Sequence, residues 1–179
     1  MSENAQTVLA FWRAAGPEKW FTKDATFDAE IRARFLATYE AAAEGRLAWD
    51  DDPAGALGLV ILLDQFPRNM FRDSARAFAA DPLARAITAR AIARGFDQQV
   101  AAADRGFFYL PFEHSEALAD QERSIALNRA SGDADALKWA ELHAEIIRRF
   151  GRFPHRNKLL GRTTTPDEQA FLDGGGFAG

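Results

Sequence analysis

Phe27, Ile31, Phe35 and Tyr39 recur at every fourth position, and that spacing lines one face of an α-helix. The rest of the chain repeats the helical signature. Asp52-Pro53 reads as a helix start, with an N-cap acceptor followed by a proline whose missing N–H costs nothing there. Leu57 to Leu63 is nearly continuous apolar sequence, short enough for a strand, but its helix-type start favours a buried helix that Pro67 ends by pushing Phe66 out of the helical region. Asp81-Pro82 repeats the start signal, and Gly95 closes that helix. Asp97 reads as the cap of a further segment that runs to the apolar stretch Phe107–Phe112, interrupted by Pro111.

Ser115 to Ala130 is amphipathic, with Ser115 as the natural N-cap, Leu118 and Ile125 inward, and Asp120, Glu122 and Arg123 outward. After the turn Ser131-Gly132-Asp133, Trp139, His143, Ile146 and Phe150 share one stripe that ends at Gly151. Thr165-Pro166-Asp167-Glu168 is a capping box with proline in the first helical position, the sharpest local signal in the chain. No strand or hairpin signal appears. The sequence therefore predicts an all-α fold of stacked antiparallel helix pairs, either a tetratricopeptide-like right-handed superhelix or a compact helical domain. It occupies residues 1–173 as a single domain, and a flexible Gly-rich tail over 174–179 follows.

Composition narrows the chemistry. A chain of 179 residues without cysteine has no disulfide framework, thiol nucleophile or Cys-ligated metal site. Apolar residues at 47% and charged residues at 27% are those of a soluble globular protein. The absence of a long apolar run or a basic, apolar leader points to a cytoplasmic protein without membrane contact. A net charge of −4 makes nucleic acid an unlikely partner.

Polar residues crowd into apolar, proline-bearing sequence in three places: Asp64–Asn69, Tyr109–Glu116 and Arg149–Asn157. The first and third echo each other, Phe-Pro-Arg-Asn against Phe-Pro-His-Arg-Asn. If these corners converge, Arg68, Asn69, Arg152, Arg156 and Asn157 form a donor-rich pocket suited to carboxylate or phosphate, with Asp64, Tyr109, Glu113, His114 and His155 beside them. Residue by residue, a plainer account competes: proline stops the helix, phenylalanine packs beneath it, arginine meets the last carbonyls and asparagine completes the turn.

His114, flanked by Glu113 and Glu116, is a candidate acid–base group, whereas His143 on its apolar stripe reads as a packed histidine bonded to a neighbour. No two histidines have the spacing of a helical metal pair, and no phosphate loop or nucleophile elbow is present, so neither a cofactor nor a metal is expected. The basic run Arg148–Arg162, with Phe150 and Phe153 inside it, can be read as a single-stranded nucleic-acid surface. Its competing reading is a helix C-terminus whose cations pair with acidic neighbours such as Asp50 to Asp52.

The strings Leu62-Leu63-Asp64-Gln65-Phe66-Pro67-Arg68-Asn69, Phe108-Tyr109-Leu110-Pro111-Phe112-Glu113-His114-Ser115-Glu116 and Arg149-Phe150-Gly151-Arg152-Phe153-Pro154-His155-Arg156-Asn157, with Leu160-Gly161-Arg162 and the opening Val8-Leu9-Ala10-Phe11-Trp12, resemble the bacterial family catalogued as domain of unknown function 924. The resemblance covers nearly the whole chain and implies a tetratricopeptide-like helical fold. It carries no activity to transfer. Three functions stay open: a binding module for an acidic peptide, a protein partner or a small anionic ligand; a hydrolase-type enzyme using His114 with Glu113 or Glu116; and a buried polar network that only holds the helices in register.

Overall fold

The computed structural model describes residues 3–177, which form an all-α protein with no strand among them. Contacts within the chain gather into two compact units. The first runs up to Arg72 and includes Arg76–Pro111; the second takes Asp73–Ala75 and the chain from Phe112 onward.

In the first unit, α1 (Ala5–Ala15) starts at a capping box between Asn4 and Thr7, and α2 (Pro17–Trp20) is a single turn. Helix α3 (Ala25–Ala43), capped by Asp24, buries the whole Phe27, Ile31, Phe35, Tyr39 stripe. Each of these side chains contributes about 1.5–3 kcal/mol on leaving water. Phe35 lies 5.0 Å from Phe11 and 4.9 Å from Phe66, ring centre to ring centre, so the stripe closes on an aromatic core.

Helix α4 (Pro53–Val60) starts as expected, with the Asp52 carboxylate accepting from the Gly55 amide. It is buried on every side and depends on two glycines. A Cβ at Gly58 would stand 2.9 Å from the Ala5 Cβ of α1, and one at Gly55 would stand 1.8 Å from the Trp49 carbonyl oxygen.

Pro67 does not end this helix. The chain passes through a π turn, Ile61–Gln65, into α5 (Phe66–Met70), and Phe66 keeps helical angles of φ −59° and ψ −38°. In a regular α-helix the proline ring collides with the carbonyl one turn back. Here the Phe66 amide bonds to the Ile61 carbonyl five residues back, and the widened turn makes room for the ring. Helix α6 (Asp81–Ala93) ends before Gly95 in the left-handed region, as expected, but its N-cap is Ala80 rather than Asp81. Helix α7 (Ala102–Glu113) likewise runs through Pro111, in its last turn, instead of breaking there.

In the second unit, α8 (Leu118–Ser131) and α9 (Ala134–Phe150) form a hairpin. It turns at left-handed Gly132 and the N-cap Asp133. The orientation of α8 departs from expectation. Leu118 is exposed, while Gln121, Ser124 and Asn128 are buried beside Ile125. Gln121 Nε2 donates to the carbonyls of Phe112, Glu113 and Ser115, completing the otherwise open end of α7, so a polar residue faces inward. Ser115 does not cap α8, which starts after Ala117; its hydroxyl donates to Asp120 and accepts from the Ala117 amide.

Helix α9 ends at left-handed Gly151, and α10 (Pro166–Asp173) begins at the expected capping box, with Thr165 and Glu168 bonded reciprocally. Past Asp173, Phe177 packs against the cluster of Ile146, Ile147 and Phe153. Residues 178–179 of the expected tail lie outside the described residues.

Candidate functional site

The four first-unit candidates are held by partners within that unit. Arg68, one turn after the fully buried Asp64, reaches Asp81 through two parallel bonds of 3.0 Å and lies 3.3 Å from Asp64 Oδ1. Asp81 thus anchors an arginine instead of capping a helix. Asn69 donates to Asp28 at 2.8 Å, and Arg72 grips the same carboxylate. The Tyr109 hydroxyl donates to Asp97 at 2.9 Å, so Asp97, within the 3₁₀ turn Phe96–Gln98, caps no helix. Burial first, and Asp97 next, push the Tyr109 phenol well above its ordinary pKa and keep its proton in place.

The other candidates lie in the second unit: Glu113 ends α7 and His114 follows it, Arg152 comes just after α9, and His155, Arg156 and Asn157 lie on or next to the 3₁₀ turn Pro154–Arg156. Glu113 is paired with His143 of α9. Its Oε1 stands 3.1 Å from Nδ1 of His143, and the same nitrogen is 2.8 Å from the Trp139 carbonyl oxygen. Both neighbours are acceptors, which assigns the proton of neutral His143 to Nδ1 and the basic lone pair to Nε2. Glu116 is held by Arg162 and the backbone of Phe153. It accepts two bonds of 2.8 Å from Arg162 and one of 2.9 Å from the Phe153 amide. Burial raises the Glu116 carboxyl, but Arg162 and that amide outweigh it and hold the pKa below its usual range. His114 contributes its carbonyl to Arg156 Nη1 at 3.0 Å, and its ring lies 6.5 Å from that of His143.

Arg152 grips Glu168 at 2.6 and 2.8 Å, and Asn157 donates to the same carboxylate at 3.1 Å. With Arg152 as the main cause, the Glu168 carboxyl is lowered to about 2. Arg156 stacks over Phe153 at 4.5 Å.

His155 is the distinct member of this group. Its Nδ1 is shut off from solvent and has no hydrogen-bond partner among the described residues. Burial, then the charge of Arg156, then His143, lower its pKa to about 3, so the ring is neutral. Asn157 Oδ1, two residues on, is also buried without a partner. Such atoms call for a water or a ligand atom.

The structure therefore brings Glu113, His114, His155 and Arg156 together with His143, and sets Arg152 and Asn157 around Glu168. His143 is packed and bonded to a neighbour, as its apolar stripe indicates, but its carboxylate partner comes from another helix and left no local signal. Among the described residues, no group of three or more histidine or carboxylate side chains is placed to hold a metal ion. The basic run is largely engaged with acids or rings of its own unit: Arg148 with Glu145, Arg149 over Phe150, Arg152 with Glu168 and Arg162 with Glu116. Asp50 pairs with Arg90. No helix among the described residues is long and apolar enough to cross a membrane.

An all-helical chain with a buried carboxylate–histidine pair beside an arginine-rich turn is the class these features define. The chain belongs to the bacterial family of proteins of unknown function DUF924, whose model matches residues 8–176. It is similar to a solved protein of unknown function from Agrobacterium tumefaciens, at 48% identity over 95% of this chain and 97% of that one, with a TM-score of 0.92. No curated protein matches.

Proposed function

We propose that the protein is a cytoplasmic helical binding module of the tetratricopeptide-like kind, and that its ligand seat lies at the histidine end of the second unit. The observation that carries this reading is His155: a neutral imidazole with a buried, unpartnered Nδ1, next to Arg156 and two residues before the unpartnered Asn157 Oδ1. In its Nδ1–H tautomer the ring offers a donor to a carboxylate or phosphate oxygen of a small anion or an acidic peptide. The ten-residue pocket expected from sequence contracts to His114, His155, Arg156 and Asn157, joined by His143. Asp64, Arg68, Asn69 and Tyr109 take the structural part, as a polar network that fixes the first unit.

A thermal-shift screen with inorganic phosphate, dicarboxylates and acidic peptides tests the reading, with His155→Ala and Arg68→Ala alongside. A ligand at 100 times its dissociation constant adds about 2.7 kcal/mol. A shift kept by Arg68→Ala and lost by His155→Ala supports the seat. A shift that both variants keep moves the site elsewhere, and no shift with any probe removes the small-anion reading.

The Glu113–His143 pair favours a second reading, an enzyme of hydrolase type in which Nε2 of His143 takes up a proton and Glu113 orients the ring. Turnover of a phosphate or carboxylate ester that disappears in His143→Gln would mark it. The absence of turnover across an ester panel sets it aside.

A further inference from the structure

Phe177 stands at the centre of a ring cluster. It lies 4.5 Å from His143 and 5.3 Å from His155, both edge-on, and 6.4 Å from Trp139. Phe153 closes the other side, 5.6 Å from each of the same two histidines. Each histidine thus meets both phenylalanines, and the half-exposed Trp139 forms the outer margin.

The attachment of Phe177 differs from that of its neighbours. The other rings are fixed on α9 or on the turn that follows it, whereas Phe177 hangs from α10 by Gly174-Gly175-Gly176. Gly175 takes φ +79°, and a Cβ at Gly176 would stand 2.6 Å from the Phe171 ring, so this return path is open only to glycine.

The seat has a polar side as well. The unpartnered Nδ1 of His155 belongs to a ring that Phe177 contacts, so Phe177 covers aromatic surface without supplying the missing polar atom. A ligand with both parts matches the seat better than phenylalanine does.

We propose that Phe177 is a tethered occupant of an aromatic seat, and that a small aromatic acid displaces it, placing its ring among His143, His155, Phe153 and Trp139 and its acidic group on His155 Nδ1. The inference rests on the binding reading above and supplies its substrate class. While Phe177 is in place, the seat is open for only a fraction of the time, and apparent affinity falls by that fraction.

The test is calorimetric titration of the full chain and of Phe177→Ala with phenyl phosphate, phenylacetate, inorganic phosphate and benzyl alcohol. Phe177 lies beyond the last helix, and Phe177→Leu, which keeps an apolar side chain there, guards against loss of folding. The expected result is a gain of about tenfold for phenyl phosphate, phenylacetate or both in Phe177→Ala, with inorganic phosphate unchanged. A gain confined to one of the two acids distinguishes phosphate from carboxylate. If both acids bind equally well with and without Phe177, the aromatic seat is wrong while the anion reading stands. If benzyl alcohol gains as much as the acids, the ring seat stands and the acid assignment fails. If no probe binds either form, both fail.

Discussion

His143 Nδ1 lies between two acceptors, Glu113 Oε1 at 3.1 Å and the Trp139 carbonyl oxygen at 2.8 Å. With both residues buried, this pair ties the end of α7 to the middle of α9. Two acceptors on one nitrogen require a proton there, so nitrogen NMR at neutral pH should report an Nδ1–H tautomer for His143. Glu113→Ala removes one acceptor from a buried donor and should cost about 1–3 kcal/mol in urea unfolding. An Nε2–H tautomer, or a loss below about 0.5 kcal/mol, would show that the pair does not form in solution.

Arg68 between Asp64 and Asp81 calls for a larger effect. Replacing it with alanine takes the guanidinium from two buried carboxylates, and breaking a buried ion pair from one side costs about 3–5 kcal/mol. Arg149, which stacks on the half-buried Phe150, is the comparison, and its alanine variant should stay within about 1 kcal/mol of the parent. Equal losses for the two variants would contradict the structural role given to the first-unit network.

What the sequence could say about this fold was decided by range. The α3 stripe, the capping box at Thr165, the cap at Asp52 and the left-handed ends at Gly132 and Gly151 all depend on residues within one or two turns, and each forms as expected. The failures involve partners from elsewhere. Pro67 and Pro111 are breakers by local rules, yet a π turn accommodates the first and α7 carries the second. Asp81 and Asp97 have the form of caps but bind Arg68 and Tyr109. Gln121 looks like a surface residue and is fully buried, because the carbonyls it completes belong to another helix. The candidate site follows the same pattern: the three polar segments are visible as strings, but the pairing of Glu113 with His143 exists only once α7 and α9 are packed.

Gly58 and Gly55 separate two opposing terms. In an exposed helix, exchanging glycine for alanine gains about 1 kcal/mol of helix propensity. At Gly58 the new methyl meets Ala5 at 2.9 Å, where α1 crosses α4, and overpacking of that kind costs about 1–3 kcal/mol. Gly58→Ala should therefore destabilise. Gly55→Ala should do so more severely, since its methyl would overlap the Trp49 carbonyl oxygen at 1.8 Å and only a backbone shift relieves it. Urea midpoints in the order parent, Gly58→Ala, Gly55→Ala are expected. A stabilised Gly58→Ala would mean that α1 and α4 are less closely packed than described.

His155 gives the protein a pH dependence of definite sign. Its folded pKa of about 3 lies below the ordinary 6.5, chiefly through burial and then through Arg156. Between those values the unfolded chain binds a proton that the folded chain refuses. The contribution is therefore complete above 6.5 and is lost as pH falls toward 3, at up to about 1.4 kcal/mol per pH unit. Glu168, lowered to about 2 from 4.5, loses its own contribution as pH falls from 4.5, and Glu116 shares that upper bound. The interval from 4.5 to 6.5 lies above these carboxylates, and comparison with His155→Gln separates the share of His155 from that of the other two histidines. Chemical denaturation there should show stability declining with acid in the parent and a flatter profile in His155→Gln, which keeps a polar side chain that does not titrate. The parent keeps the steeper slope down to about 3, where the folded His155 takes up its proton, and the two profiles should run parallel only below that. A parent profile no steeper between 4.5 and 6.5 than that of His155→Gln would place His155 in water and remove the buried nitrogen on which the ligand seat depends.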